Sequence, residues 1–335
     1  MPQWAPMSSN APIAVLTCRV ASFSTTKSNV PVAGRSLRKK INMATTVKQA
    51  FQKLKENLEI TGLQEETVAT RQKSVREVLD AGLTVKESFL TGSYARSTMI
   101  APLSDADVDI FAVLDVSYYH NYNGQNGGQA GLLDLVKRTL RKTYTKTPDI
   151  SRNGQAVTIC FDDFRVDVVP AFYRQGGGFL IPNSIRQVWL STDPKKHVTI
   201  MNESNSKHNE DMVPLVKMIK GWNKNVGSFF MSFHLEVLAL SVLNNVTISS
   251  FPSAVRFYFD KGKDLINKQN IDPAGLGGDV GAYLNTKEKI QEAVDKFQLA
   301  YERSIKAEEY ESRGYIQEAI ETWRKVFGDY FPAYG

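Results

Sequence analysis

Apolar and polar positions along this chain follow two rhythms, and the change from one to the other divides it. From Met43 onward Val47, Phe51, Leu54 and Leu58 recur at spacings of 4, 3 and 4, the repeat that keeps one face of a helix apolar. This predicts helices over about 46–60 and 65–80. A short strand, Ser88–Leu90, runs into Thr91-Gly92-Ser93, and Asp107–Leu114 passes from alternation into a continuous apolar run, as a partly buried strand does. A loop rich in Gly, Asn and Gln over 121–131 precedes a predicted helix at 132–144. Ala156–Phe161 and Phe164–Val169 have strand composition, and the Asp162-Asp163 pair between them signals a hairpin. Residues 175–209 read as loop-rich. From 210 onward nearly everything reads as helix: 211–225, 229–245, 252–268, 283–307 and 308–326. Strands mixed with helices, followed by helices alone, predict an α+β protein with lobes at 43–209 and 210–335 and a cleft between them.

The 335 residues are 42% hydrophobic and 23% charged, which places the chain among globular proteins rather than disordered or fibrous ones. No apolar run reaches the roughly 18 residues a membrane span needs; Phe229–Val246 comes nearest and carries His234 and Glu236. The net charge of +6 is local. Residues 1–42 hold Arg19, Lys27, Arg35, Arg38, Lys39 and Lys40 and no acid, which leaves the rest balanced at 35 against 35. The body therefore lacks the global footprint of a nucleic-acid-binding domain, and stable nucleic-acid binding is not expected. Residues 1–42 have the composition of a transit-like tail, and a disordered extension or a misplaced start at Met1 fits them equally. With Cys18 in that tail, Cys160 is the body's one cysteine. Nothing then argues for an oxidising compartment or a multi-cysteine zinc site, and a cytoplasmic location is expected.

Candidate chemistry concentrates in two stretches. In Thr91-Gly92-Ser93-Tyr94-Ala95-Arg96-Ser97-Thr98, a Gly-Ser turn between strand and helix offers backbone N–H groups and a hydroxyl to a phosphate. Most such pairs are turns and nothing more. In Ser104-Asp105-Ala106-Asp107-Val108-Asp109-Ile110-Phe111, Asp107 and Asp109 stand two apart at the mouth of an apolar strand, so both project from one face. Two carboxylates so placed can share a pair of hard divalent cations, although an isolated Asp-X-Asp is more often a solvated turn. Asp167 adds weight, because Phe164-Arg165-Val166-Asp167-Val168-Val169-Pro170 sets a carboxylate inside an otherwise apolar strand. A charge there is costly unless it is paired or holds a metal. Arg165 offers the pairing explanation. Convergence with Asp107 and Asp109 gives the metal cage of nucleotidyl transfer.

Together, Gly92-Ser93, Asp107-Val108-Asp109 and the distant Asp167-Val168-Val169-Pro170-Ala171-Phe172 resemble the DNA polymerase β-type nucleotidyltransferase superfamily. Within it the chain is similar to the 2′-5′ oligoadenylate synthetases and cyclic GMP-AMP synthase. It most resembles their bacterial relatives, the cGAS/DncV-like nucleotidyltransferases, in its Gly-Ser-Tyr-Ala-Arg and Thr192-Asp193-Pro194-Lys195-Lys196-His197 wording. The resemblance runs from about Met43 to the C-terminus. It implies a polymerase β-like core of mixed sheet and helices, a helical C-terminal lobe, and an active site in the cleft. It also implies two Mg²⁺ ions, or Mn²⁺ in their place, held by Asp107, Asp109 and Asp167, with Gly92 and Ser93 on the donor phosphates. Lys220 of Leu215–Trp222 matches a lysine that contacts the triphosphate, with Lys217 one turn earlier. Ser232 matches a serine that touches phosphate, and Phe233 an aromatic that stacks on a base. By the same resemblance the substrates are NTPs, ATP among them. The product is a cyclic oligonucleotide second messenger for a separate effector protein, in bacterial anti-phage (CBASS-type) signalling.

Alternatives remain at this level. Asp105 with Asp107 is a second register for the metal pair. An RNA-tailing enzyme of the CCA-adding or poly(A) kind is a second activity, and a catalytically inactive nucleotide sensor a third. The Lys217/Lys220 face reads equally as a solvated helix surface, and Phe229, Phe230 and Phe233 as core. His120, His197, His208 and His234 show no paired metal spacing, Lys195 and Lys196 fit a charged loop, and Trp189, Trp222 and Trp323 read as packing residues. The zinc-binding insertion of the animal DNA sensor is missing, so activation by DNA through such an element is not expected.

Overall fold

Hydroxyl caps start the first helices where the apolar repeat begins. A computed structural model describes residues 42–146 and 149–335; the expectations for the basic N-terminal stretch fall outside them, save for Asn42. After a two-residue strand β1 (Met43–Ala44), the Thr46 side chain accepts from Gln49 N to open α1 (Val47–Leu58). Thr61 and Gln64 cap each other's backbone at the start of α2 (Gly62–Gly82). Strand β2 (Val85–Thr91) then delivers the chain into a single helical turn, α3 (Gly92–Ala95). Strand β3 (Asp107–Leu114) follows, then α4 (Val116–Asn123) and α5 (Gly128–Thr143). Next come β4 (Asp149–Asn153), β5 (Ala156–Cys160), β6 (Arg165–Tyr173), β7 (Phe179–Asn183) and β8 (Val188–Thr192).

The sheet runs β2-β3-β6-β5-β4, with β7 on β6 and β8 on β7. The β3–β6 pair is parallel and the other pairs are antiparallel, which makes the sheet mixed. Val108, Ile110, Ala112 and Leu114 of β3 share one buried cluster with Val166 and Val168 of β6 and with apolar residues of α2 and α5. The period of two sends their neighbours to the other face. There Phe111 and Val113 pack with Ala171, Phe179 and Ile181, and Asp107 and Asp109 continue the same row beyond that cluster. The hairpin expected around Asp162-Asp163 is present as β5–β6.

The second lobe holds α6 (Pro194–Lys207), α7 (Met212–Asn225), α8 (Ser232–Val242), α9 (Phe251–Leu265), α10 (Lys287–Ser312) and α11 (Ile316–Phe327), then a short strand β9 (Ala333–Tyr334). Trp222, Phe230, Phe259 and Phe297 meet in its centre with ring centroids 4.8–5.9 Å apart. Trp189 instead packs on Phe172 and Tyr119 in the sheet lobe.

Three expectations need revision. The first lobe was expected to begin at Met43, but β1 pairs with β9, and Val47, Phe51, Leu54 and Leu58 of α1 lie in the core of the helical lobe. Residues 175–209 are not loop-rich. They hold β7, β8 and α6, the last opened by the Asp193 side chain accepting from Lys196 N with Pro194 in the first turn; α6 buries only Pro194 and Met201, too little to print a helical repeat. The loop expected at 121–131 is shortened at one end by α4, which buries no residue, and at the other by α5, which begins at Gly128 rather than 132. Among the described residues no helix is long and apolar enough to cross a membrane.

Candidate active site

The parallel register of β3 and β6 decides where the carboxylates go. It sets Asp109 against Asp167 and Asp107 against Arg165, so all three aspartates reach one end of the sheet on the face turned to the helical lobe. They line a cavity of about 380 Å³ with Gly92, Ser93, Lys220, Ser232 and Phe233. Eight of the nine expected site residues therefore converge. Lys217 does not line the cavity; its ammonium pairs with Glu59.

Gly92 is required by contact as well as by conformation. Its φ is +66°, and a Cβ built on it would stand 1.8 Å from Asp109 Oδ2. No side chain larger than hydrogen lets this turn lie so close to the carboxylate. Ser93 O accepts from Thr98 N at 2.9 Å and Met99 N at 3.1 Å, which closes the turn beneath the cleft.

The carboxylates are electrostatically strained. Burial first, then the charges of Asp167 and Asp107, push Asp109 up to about 7, against weaker pulls from Arg96 and Lys220. Burial likewise pushes Asp167 up to about 6, opposed by the hydrogen bond that Thr158 Oγ1 donates at 2.5 Å. Asp107 lies 2.6 Å from Arg165 Nε, too bent an approach for a hydrogen bond, since that buried Nε has no such partner. Two buried carboxylates pushed up beside a third suit a hard divalent cation, whose charge relieves the repulsion and whose preferred ligands are oxygen. They fit in kind while still open: among the described residues no three His, Cys, Asp or Glu side chains are gathered closely enough to hold one ion. Asp107 engages Arg165 instead. Asp105 ends a 3₁₀ turn before β3 and lies 3.5 Å from Lys224.

The opposite wall comes from α7 and α8. Ser232 is the first residue of α8, whose N-terminus carries no side-chain cap, so its hydroxyl and the helix's partial positive charge face the cleft together. The Phe233 ring lies under the Arg96 guanidinium at 4.9 Å and beside His197, also at 4.9 Å and tilted by 55°. Lys220 is 4% exposed and donates to Thr98 O at 2.9 Å and Thr98 Oγ1 at 3.0 Å, with Glu236 Oε1 2.7 Å away. Those contacts use all three N–H groups of an ammonium. Sequence reasoning missed Arg96, Thr98 and Glu236. The signal for Arg96 and Thr98 lay inside the quoted Thr91–Thr98 stretch, and that for Glu236 in its being a charge within the apolar run Phe229–Val246.

Residues 45–205 match the family profile described as Second Messenger Oligonucleotide or Dinucleotide Synthetase domain. Over 279 residues the chain is 29% identical to a probable cyclic nucleotide synthase of Bacillus cereus, covering 74% of this chain and 83% of that protein. A cyclic AMP-AMP-AMP synthase of an Acinetobacter species is 26% identical over 262 residues, 73% and 72% of the two chains. Among solved structures, Escherichia coli CdnC with ATP superposes with a TM-score of 0.71 at 19% identity, covering 85% of this chain and 99% of that one.

Proposed function

The chain belongs to the cGAS/DncV-like nucleotidyltransferases, and from that premise we propose that it joins NTPs into a cyclic oligonucleotide second messenger with release of pyrophosphate. The observation that carries this reading is the register that sets Asp109 opposite Asp167 across the Gly92-Ser93 turn. ATP is the first substrate to try, because the named relatives include a cyclic AMP-AMP-AMP synthase and a structure with ATP.

In this reading the donor triphosphate lies along the Ser93 turn and the N-terminus of α8, with its base against Phe233. Asp107, Asp109 and Asp167 would hold two Mg²⁺ ions, or Mn²⁺, which supply Lewis-acid activation of the acceptor hydroxyl and charge for the departing pyrophosphate. Asp107 leaves Arg165 to do so. Asp167 orients the acceptor hydroxyl, beside the ion that would lower that hydroxyl's pKa. That hydroxyl attacks the α-phosphorus as the bond to pyrophosphate breaks; each further step adds one nucleotide and releases one pyrophosphate, and the last closes the ring. Asp105, outside the β3–β6 row, is not part of the metal pair. Lys217, paired with Glu59, supports α7 rather than nucleotide. The product acts on a separate effector in the cytoplasm, in anti-phage signalling.

The test incubates the full chain with all four NTPs and Mg²⁺ or Mn²⁺ beside Asp109→Asn, treats both with phosphatase, and weighs the surviving nucleotides by mass spectrometry. Phosphatase-resistant cyclic species made by the parent and missing from the variant are the expected result. Pyrophosphate release only with added RNA points to a tailing enzyme, and nucleotide binding with no release under any activator to a sensor.

A further inference from the structure

Glu236 touches none of the aspartates, yet three side chains from two lobes close on its carboxylate. Arg96 donates to it through Nε at 2.7 Å and through the guanidinium's outer nitrogen at 3.1 Å. Thr98 Oγ1 donates at 3.1 Å, and Lys220 Nζ lies 2.7 Å away. The residue is 1% exposed. Burial opposes its charge, but the Lys220 and Arg96 cations outweigh burial and hold it at about 2, so it stays ionised at any working pH and takes no part in proton transfer.

Such a group is a poor device for stability alone, because desolvating three charged side chains cancels most of what their attraction returns. What it does supply is fixed relative position. Through Thr98, whose N–H closes the turn onto Ser93 O at 2.9 Å, the carboxylate grips the phosphate turn of the sheet lobe. Through Arg96, which lies over the Phe233 ring, it grips the aromatic platform three residues earlier on its own helix. Lys220 binds the same turn from α7 with the N–H groups it has left.

We infer that Glu236 is a positioning residue for nucleotidyl transfer: it holds the Ser93–Thr98 turn and the Phe233 ring in register across the two lobes and does not itself contact nucleotide. The inference rests on the synthase reading above for its kinetic part only.

The test uses the full chain with Glu236→Gln, which keeps the shape and removes the charge, and Glu236→Asp, which keeps the charge and shortens the reach. Hydrogen exchange without nucleotide is compared at the 93–99 amides and in α10 and α11, below the melting temperature of each variant. Steady-state kcat and KM for NTP follow on the same samples. In Glu236→Gln, exchange in the 93–99 turn should quicken about tenfold or more while α10 and α11 keep the parental rate. Its kcat should fall about 100-fold with KM changed by less than about fivefold, as expected when reacting groups shift by an ångström. Glu236→Asp should lie between parent and Gln, and it carries the test if the Gln variant does not fold. Parental exchange in the turn, or equal loosening of α10 and α11, overturns the inference. So does tighter NTP binding at unchanged kcat, which would make Glu236 a counter-charge. If the parent makes no product, the synthase reading fails, while the exchange comparison still decides the positioning claim.

Discussion

Asp109 and Asp167 stand opposite each other on two neighbouring parallel strands, and the charge of Asp167 makes Asp109 harder to ionise. Burial, with the charges of Asp167 and Asp107, pushes Asp109 up to about 7, and burial, with the charge of Asp107, pushes Asp167 up to about 6, above the ordinary carboxylate value near 3.9. A carboxyl raised by folding contributes stability that is present below the unfolded value and lost as pH rises through the folded one. The cation-free protein should therefore weaken as pH climbs from about 4 to about 7. Each unit of displacement corresponds to about 1.4 kcal/mol, shared within the coupled pair. A divalent cation removes that penalty and competes with protons for the same oxygens. Melting curves with and without Mg²⁺ at about pH 5.5 and about pH 8 should show the larger stabilisation at the higher pH. An equal shift at both would detach this pair from cation binding.

The Gly92 turn predicts a second result. At Gly92 a methyl group meets Asp109 Oδ2, on a backbone already at φ +66°. Gly92→Ala must move the turn or the carboxylate. We expect kcat to fall about 100-fold or more, with a stability loss on the order of 1–2 kcal/mol from strain at positive φ. Paired activity and circular-dichroism melts check both. Near-parental activity in a folded variant would mean that Asp109 need not stand where it does.

Asp105 and Asp107 separate the two registers open from sequence. Asp105 is half exposed beside Lys224, and an exposed pair of that kind contributes about 0–1 kcal/mol. Asp105→Asn should keep activity within about threefold of the parent, whereas Asp107→Asn, losing a ligand for the activating charge, should lose about 1,000-fold. The reverse order in a pyrophosphate-release assay would shift the metal pair to Asp105 and Asp107.

The convergence of the candidate site was legible from sequence where chemistry forced unusual residues into ordinary patterns. Asp167 announced itself as a charge in an apolar strand, and Asp107 and Asp109 as a two-residue repeat at a strand mouth. Their partners were not legible, because Arg96, Thr98 and Glu236 are common residue types whose meaning comes from contacts more than 130 positions apart. Lys217 and Lys220 show the limit of helical spacing. They share a helix face, yet one is drawn to Glu59 and the other to Thr98 and Glu236. The fold followed the same division. β3 matched its expected bounds since both of its faces are covered, while β4, with its last two residues exposed, and α6, with two buried residues, left too weak a pattern.

The N-terminal helix tests that division energetically. Phe51 is 2% exposed, and its ring meets Trp323, Phe327 and Phe331 edge-on at 5.0, 5.9 and 5.2 Å. A segment that precedes the whole sheet is thus packed at the far end of the chain, where β1 also pairs with β9. Phe51→Ala removes a buried ring from a site with rigid aromatic walls, for which about 3–5 kcal/mol is expected. Urea unfolding followed by tryptophan fluorescence measures the loss, and hydrogen exchange locates it. Amides of α11 should lose protection before those of β3 and β6, because the ring supports the helical lobe and not the sheet. A loss below about 1 kcal/mol would make α1 a surface appendage, and early loss of protection in the sheet would return α1 to the first lobe, where the sequence pattern had placed it.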